Sequence, residues 1–107
     1  MNPGHGEVWL ADLGLAGKTR PVVVLLSDNL EAPRTLIIYI PITRQARGSE
    51  LEFAVGHLRF LDPDSVANVQ AIGAVPRVRF EFERRRGVLP EIDLVNLKRA
   101  LAKACAM

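Results

Sequence analysis

An arginine at the mouth of a stiff strand is suited to gripping a phosphate, and Arg20 is placed that way. The run Lys18-Thr19-Arg20-Pro21-Val22-Val23-Val24-Leu25 passes from a basic, polar loop into an apolar stretch. Val22, Val23 and Val24 are β-branched and favour a strand. Pro21 fixes its own φ and pushes Arg20 towards an extended conformation. The guanidinium is planar, permanently charged and matched to two phosphate oxygens at once. A solvated charge at a strand end would carry the same local sequence, so this segment alone leaves both readings open.

Thr43 is the second candidate. It ends an apolar run at Pro41-Ile42-Thr43 and precedes the basic loop Arg44-Gln45-Ala46-Arg47-Gly48-Ser49. Its hydroxyl can bond a phosphate oxygen or orient a ribose 2′-OH, and as a β-favouring residue it can equally be a plain strand end. A phosphate-gripping arginine near a hydroxyl could serve cleavage of a phosphodiester by a neighbouring 2′-OH, without a metal. The protein must then help remove that proton, stabilise charge on the phosphorane and protonate the departing 5′ oxygen. Arg20 can supply the charge. Permanently charged, it is a poor proton donor. Glu7 can act as general base or RNA-orienting acceptor, or be an outward-facing strand charge. Lys18 and Thr19 can bind phosphates beside Arg20, while Arg44, Gln45 and Arg47 can extend the groove. Asn68 and Gln70 are amides on an otherwise apolar strand. They can pair with the edges of unstacked bases or bond the sheet's own backbone.

The elements that must position these groups are mostly strands. Residues 7–13 and 19–27 read as the first two, and 28–34, with its Asp, Asn and Pro, as a loop. Residues 35–40 form a continuous apolar run expected to be a buried strand, and 51–55 alternate as a half-buried one. Residues 56–63 read as a connection. Segments 65–70 and 71–82 follow as strands, the second with Val78, Phe80 and Phe82 on one face and Arg77, Arg79, Glu81 and Glu83 on the other. Arg84-Arg85-Arg86 is a compact basic cluster that can touch an RNA backbone, and reads first as a solvated turn before Gly87. One helix is expected over 90–105. Pro90 suits a first position, Glu91 and Asp93 lie in the first turn, and Lys98, Arg99 and Lys103 lie later. Leu94, Leu97, Leu101 and Ala104 recur at helical spacing. Many short strands with one terminal helix indicate a mainly β fold, a small barrel with an appended helix.

A length of 107 residues implies one domain with a modest core, and 49% hydrophobic residues are too many for a disordered chain. The net charge of +2 sets up no global basic field that forces nucleic-acid binding, although a pI of about 9.1 is compatible with it. The single cysteine, Cys105, excludes an internal disulfide framework and reads as a packing residue on the helix. His5, at a frayed start, and His57 stand in no ligand-spaced cluster, so no metal or other cofactor is expected. No signal peptide is visible and no apolar run approaches the roughly 20 residues needed to span a bilayer, which makes a cytoplasmic protein the expectation. Trp9 reads as filling a barrel or a dimer interface.

Taken in order, Gly6-Glu7-Val8-Trp9-Leu10-Ala11-Asp12-Leu13, the Arg20 segment, Pro41-Ile42-Thr43, Asn68-Val69-Gln70-Ala71-Ile72 and Gly87-Val88-Leu89-Pro90 resemble the MazF/PemK toxins of type II toxin–antitoxin systems. The resemblance covers 6–104. It implies a β-barrel akin to SH3 and CcdB folds, a homodimer, an acidic and partly disordered antitoxin, and metal-independent cleavage of single-stranded RNA. Arg20 and Thr43 map onto the family's catalytic pair, and an acidic residue at Glu7 is usual. The first loop, Gly14-Leu15-Ala16-Gly17-Lys18-Thr19, is short beside those of many relatives, which suggests a more open site. Gly73 and Ala74 remove side chains that the family often shows. The alternatives are a non-catalytic CcdB-like toxin that binds gyrase, or an inactive relative that binds only antitoxin or operator DNA. A gyrase poison needs a C-terminal anchor, and Ala104-Cys105-Ala106-Met107 has no aromatic one.

Overall fold

The computed structural model describes residues 3–14, 19–27 and 36–107. Lys18 and the loop expected over 28–34 lie outside them, as do the side chains of 81–83. Seven strands precede one helix: β1 (Glu7–Asp12), β2 (Thr19–Val24), β3 (Leu36–Thr43), β4 (Glu52–Ala54), β5 (Val66–Asn68), β6 (Gly73–Pro76), β7 (Phe80–Val88) and α1 (Glu91–Ala104). They form one sheet in the order β4-β5-β3-β2-β1-β7, with β6 also on β3. The pairings are antiparallel.

β3 is the spine of the sheet. One edge pairs with β2. The other pairs first with β6, Leu36 to Tyr39 against Pro76 to Gly73, and then with β5 through Ile42 and Thr43. The expected mainly β architecture with a C-terminal helix is what the chain adopts. The ladder ends at β4 and β7, which do not pair with each other, so "barrel" holds only loosely.

Alternation along the strands builds two cores, one on each face. Val8, Val23, Ile40 and Ile42 point to one side and pack with Leu89 and, from the helix, Leu97. Trp9, Ala11, Val22, Val24 and Ile37 point to the other and pack with Phe80. Trp9 is fully buried, its ring edge-on to Phe80 at 6.3 Å between centroids. It fills the interior and has no surface to offer a second copy.

Several local expectations are corrected. The strand expected over 71–82 is broken by a 3₁₀ turn at Arg77–Arg79. Pro76 has no N–H to continue the ladder. Val78 consequently stands 83% exposed, away from the buried Phe80. Arg84, Arg85 and Arg86 are strand residues of β7 rather than a turn, with Arg85 across from Trp9. The segment beginning at Ser65 leaves the strand after Asn68, whose Oδ1 accepts the N–H of Gln70 at 3.2 Å and caps a 3₁₀ turn. His5 is not frayed: its Nδ1 lies 3.0 Å from the Leu25 carbonyl oxygen, and the Gly6 N–H donates to Val24 at 2.8 Å. On α1, Leu97 is buried and Leu94 and Leu101 pack against the core. Ala104 is exposed, and so is Cys105 beyond the last helical residue. Cys105 is therefore not a packing residue.

Candidate active site

The β2–β3 register fixes the centre of the site. Val24, Val23 and Val22 lie opposite Tyr39, Ile40 and Pro41. Continued by two residues, the same register sets Arg20 across from Thr43. Directly opposed side chains on one face of an antiparallel pair have Cβ atoms about 4.5–5.5 Å apart. The ladder itself stops at Val22 and Pro41, so Arg20 and Thr43 lie just beyond it on neighbouring strands.

Both side chains lie where two grooves meet. One groove, of about 780 Å³, adds Thr19, Arg44, Arg59, Phe60, Asp62 and Arg86. The other, of about 560 Å³, adds Tyr39, Arg47, Glu52, Asn68 and Gln70. Arg20, Ile42, Thr43 and Gln45 line both. Each volume suits a small ligand or part of a longer one. The Thr43 Oγ1 accepts the N–H of Gln45 at 3.1 Å. It keeps its own proton to donate, as a hydroxyl can do both. Arg20 is exposed and makes no ion pair among the described residues, although Asp62, Asp64 and Glu52 line the same grooves.

The other expected site residues divide. Gln45, Arg47, Asn68 and Gln70 line the second groove, with the Asn68 oxygen already committed to its cap. Thr19 lines the first groove, its Oγ1 accepting from Arg84 at 3.2 Å. Arg44 does too, bracketed by Asp62 at 3.5 Å and Asp64 at 3.7 Å. Glu7 is the departure. It sits at the far end of β1 and lines neither groove. Its carboxylate accepts from the Gly4 N–H, from the Trp9 indole at 3.1 Å and from Arg85 Nε at 2.6 Å. Burial pushes this carboxyl up, but the bonds from Gly4, Trp9 and Arg85 more than offset that and hold it below its ordinary value. Such a group is a structural anchor rather than a base poised near neutrality.

Glu52 shapes the loop between β3 and β4. Its carboxylate accepts the N–H groups of Arg47, at 3.1 and 3.0 Å, and of Ser49, at 3.0 Å. Bonds from Arg47 and Ser49 hold it below the usual carboxylate range. Both glutamates therefore stabilise the fold above the unfolded carboxylate pKa, and that contribution is lost as pH falls through their lower folded values. The urea midpoint should fall as pH drops below about 4.3, and Glu7→Gln with Glu52→Gln should flatten the fall. A decline equally steep in the double variant would contradict these assignments.

Sequence reasoning missed Tyr39, Arg59 and Arg86 as groove residues. Tyr39 lay inside an apolar run, Arg59 in a connection without periodicity, and Arg86 in a segment read as a turn. Only the strand parity of β7 could have aimed Arg86.

A family model described as "PemK-like, MazF-like toxin of type II toxin-antitoxin system" matches residues 5–105. The chain belongs to this toxin family. The toxin is 36% identical over 84 residues to "Probable endoribonuclease MazF2" of Mycobacterium tuberculosis, covering 77% of this chain and 76% of that protein. Among solved structures it resembles "Mycobacterium tuberculosis toxin MazF-mt6" with a TM-score of 0.81 and 25% identity, over 94% of this chain and 97% of that one. It shares its fold with "Endoribonuclease in complex with its cognate antitoxin from Mycobacterial species", with a TM-score of 0.83 and 18% identity, over 98% and 96% of the two chains. Among the described residues no helix of the toxin is long and apolar enough to cross a membrane.

Proposed function

We propose that the toxin cuts single-stranded RNA without a metal ion, using the substrate's 2′-OH as nucleophile and Arg20 with Thr43 as the reacting pair. The observation that supports this reading is that Arg20 and Thr43 both line the two grooves, beyond the end of the β2–β3 ladder at Val22 and Pro41. Arg20 faces the non-bridging oxygens and stabilises the charge that grows on the phosphorane. Thr43, its oxygen oriented by Gln45, donates a hydrogen bond to a non-bridging oxygen of the same phosphate, while water takes the 2′-OH proton and supplies one to the departing 5′ oxygen. The amides of Gln45, Asn68 and Gln70 offer base-edge contacts in the second groove.

The partners are RNA, a cognate antitoxin and a second copy of the chain. The curated relative is named an endoribonuclease, and one structural neighbour was solved with its antitoxin. An acidic antitoxin segment laid over Arg20, Arg44 and Arg47 would occlude RNA. Leu36, Ile38 and Ile72 stand about 40% exposed on neighbouring segments and support self-association, readable as mass by light scattering.

The deciding experiment incubates the purified toxin with a long mixed-sequence RNA in EDTA. Cleavage should proceed, leave DNA of the same sequence intact, and yield 2′,3′-cyclic phosphates or the 3′-phosphates formed from them. Strict dependence on a divalent metal, or products ending in 3′-hydroxyls, would sink the mechanism.

A further inference from the structure

We propose that Arg59 and Arg86 form a second phosphate grip in the first groove, holding the RNA backbone on one side of the phosphate that is cut. The proposal rests on the ribonuclease reading and names residues outside its reacting pair.

The arginines of the described surface fall into two groups. Arg79 meets Asp12 at 3.1 Å, Arg85 meets Glu7 at 2.6 Å, and Arg44 is bracketed by Asp62 and Asp64. Arg20, Arg59, Arg77, Arg86 and Arg99 are exposed and have no carboxylate ion pair among the described residues. Of these, Arg20, Arg59 and Arg86 line the same groove. They reach it from separate parts of the chain: the start of β2, the turns before β5, and β7. A solvated charge run lies on one stretch of sequence, whereas these cations converge through the fold. Uncompensated like charges drawn together repel one another, and an anion between them reverses that.

Backbone geometry explains the convergence. Side chains alternate along β7, so with Arg85 turned to Glu7, Arg86 faces the other way. Gly87 follows. A Cβ there would come within 2.6 Å of the Phe60 ring, so only glycine lets Phe60 lie against β7. That contact brings Arg59, next to Phe60, alongside the strand that carries Arg86. The turns are held by Leu58 N–H to Val55 and Leu61 N–H to Leu58, both at 3.1 Å, and by Ser65 N–H to Asp62 at 3.0 Å. Two guanidiniums on a fixed scaffold can take the non-bridging oxygens of a phosphodiester in paired, charge-assisted bonds.

The test measures binding of a long mixed-sequence 2′-O-methyl RNA, which lacks the nucleophile and stays whole, across a salt series. Arg59→Ala and Arg86→Ala should each lower the slope of log affinity against log salt by roughly 0.7, the value for one phosphate contact on a single strand, with about twice that in the double variant. On cleavable RNA each should raise KM about tenfold with kcat little changed, as fits loss of a charged hydrogen bond. Arg59→Lys and Arg86→Lys should keep the salt slope. Should an alanine variant fail to fold, the lysine variants and Arg86→Gln decide. Wild-type slope and KM in the double variant would overturn the grip while leaving the ribonuclease reading intact. A toxin that binds through these arginines yet cuts no RNA would sink the ribonuclease reading and leave the grip.

Discussion

Arg20→Ala should reduce RNA cleavage by at least about 100-fold, the cost of removing one preorganised group that stabilises transition-state charge. The fold should not notice. Arg20 is exposed near the start of β2 and makes no ion pair, among the described residues, whose carboxylate would be stranded by its loss. The variant should therefore melt like the wild type, within the few tenths of a kcal/mol typical of surface changes. Thr43→Ala should be milder, since its hydroxyl acts through one hydrogen bond while the phosphate keeps Arg20. A folded Arg20→Ala protein that cleaves at the wild-type rate would remove the centre of the proposed site.

Trp9→Ala should cost about 3–5 kcal/mol, the usual toll of emptying a buried aromatic site. Total stability for a chain of this size is only about 5–15 kcal/mol, so the variant should be marginal or unfolded at ambient temperature. The reason is more than volume. The indole fills the second core beside Phe80 and Val22, and its N–H holds the Glu7 carboxylate that also takes Gly4 and Arg85. Trp9→Phe keeps most of the volume, loses that hydrogen bond and should fall between. Urea unfolding of both variants is the measurement. A loss below about 1 kcal/mol in Trp9→Ala would mean that the side chain sits at a surface, as an interface residue would.

What could be read from the residues was the part governed by local chemistry. β-Branched runs marked β2 and β3. Helical spacing of Leu94, Leu97 and Leu101 marked α1 and its buried face. The proposed partnership of Arg20 with Thr43 came only from family resemblance, because register is a property of two strands and neither sequence states it. Pro76 carried the signal that broke the expected long strand, a missing N–H, and its weight was overlooked. Glu7 misled for a general reason. An acidic residue on a strand can serve chemistry or anchor a terminus, and the choice depends on Arg85, which lies 78 residues away in sequence. The grooves' remaining walls come from turns whose shape depends on contacts such as Phe60 on β7, which no periodicity encodes.

The wall that carries Arg59 is closed at two glycines. A Cβ on Gly56 would run into the Pro63 carbonyl, and one on Gly87 into the Phe60 ring. The chain between them has thus given up its conformational freedom during folding, at a cost of roughly 1–2 kcal/mol for each backbone residue fixed. Under the proposed grip, nucleic acid meeting this wall would have no loop of it to order, so the entropy of forming it would not be charged against affinity. The same rigidity carries a vulnerability. A substitution at Gly56 or Gly87 strikes the groove through its scaffold, without altering any atom that could touch RNA. For a protein whose action harms the cell that makes it, such positions are routes by which a population can silence the toxin while Arg20 and Thr43 stay unchanged.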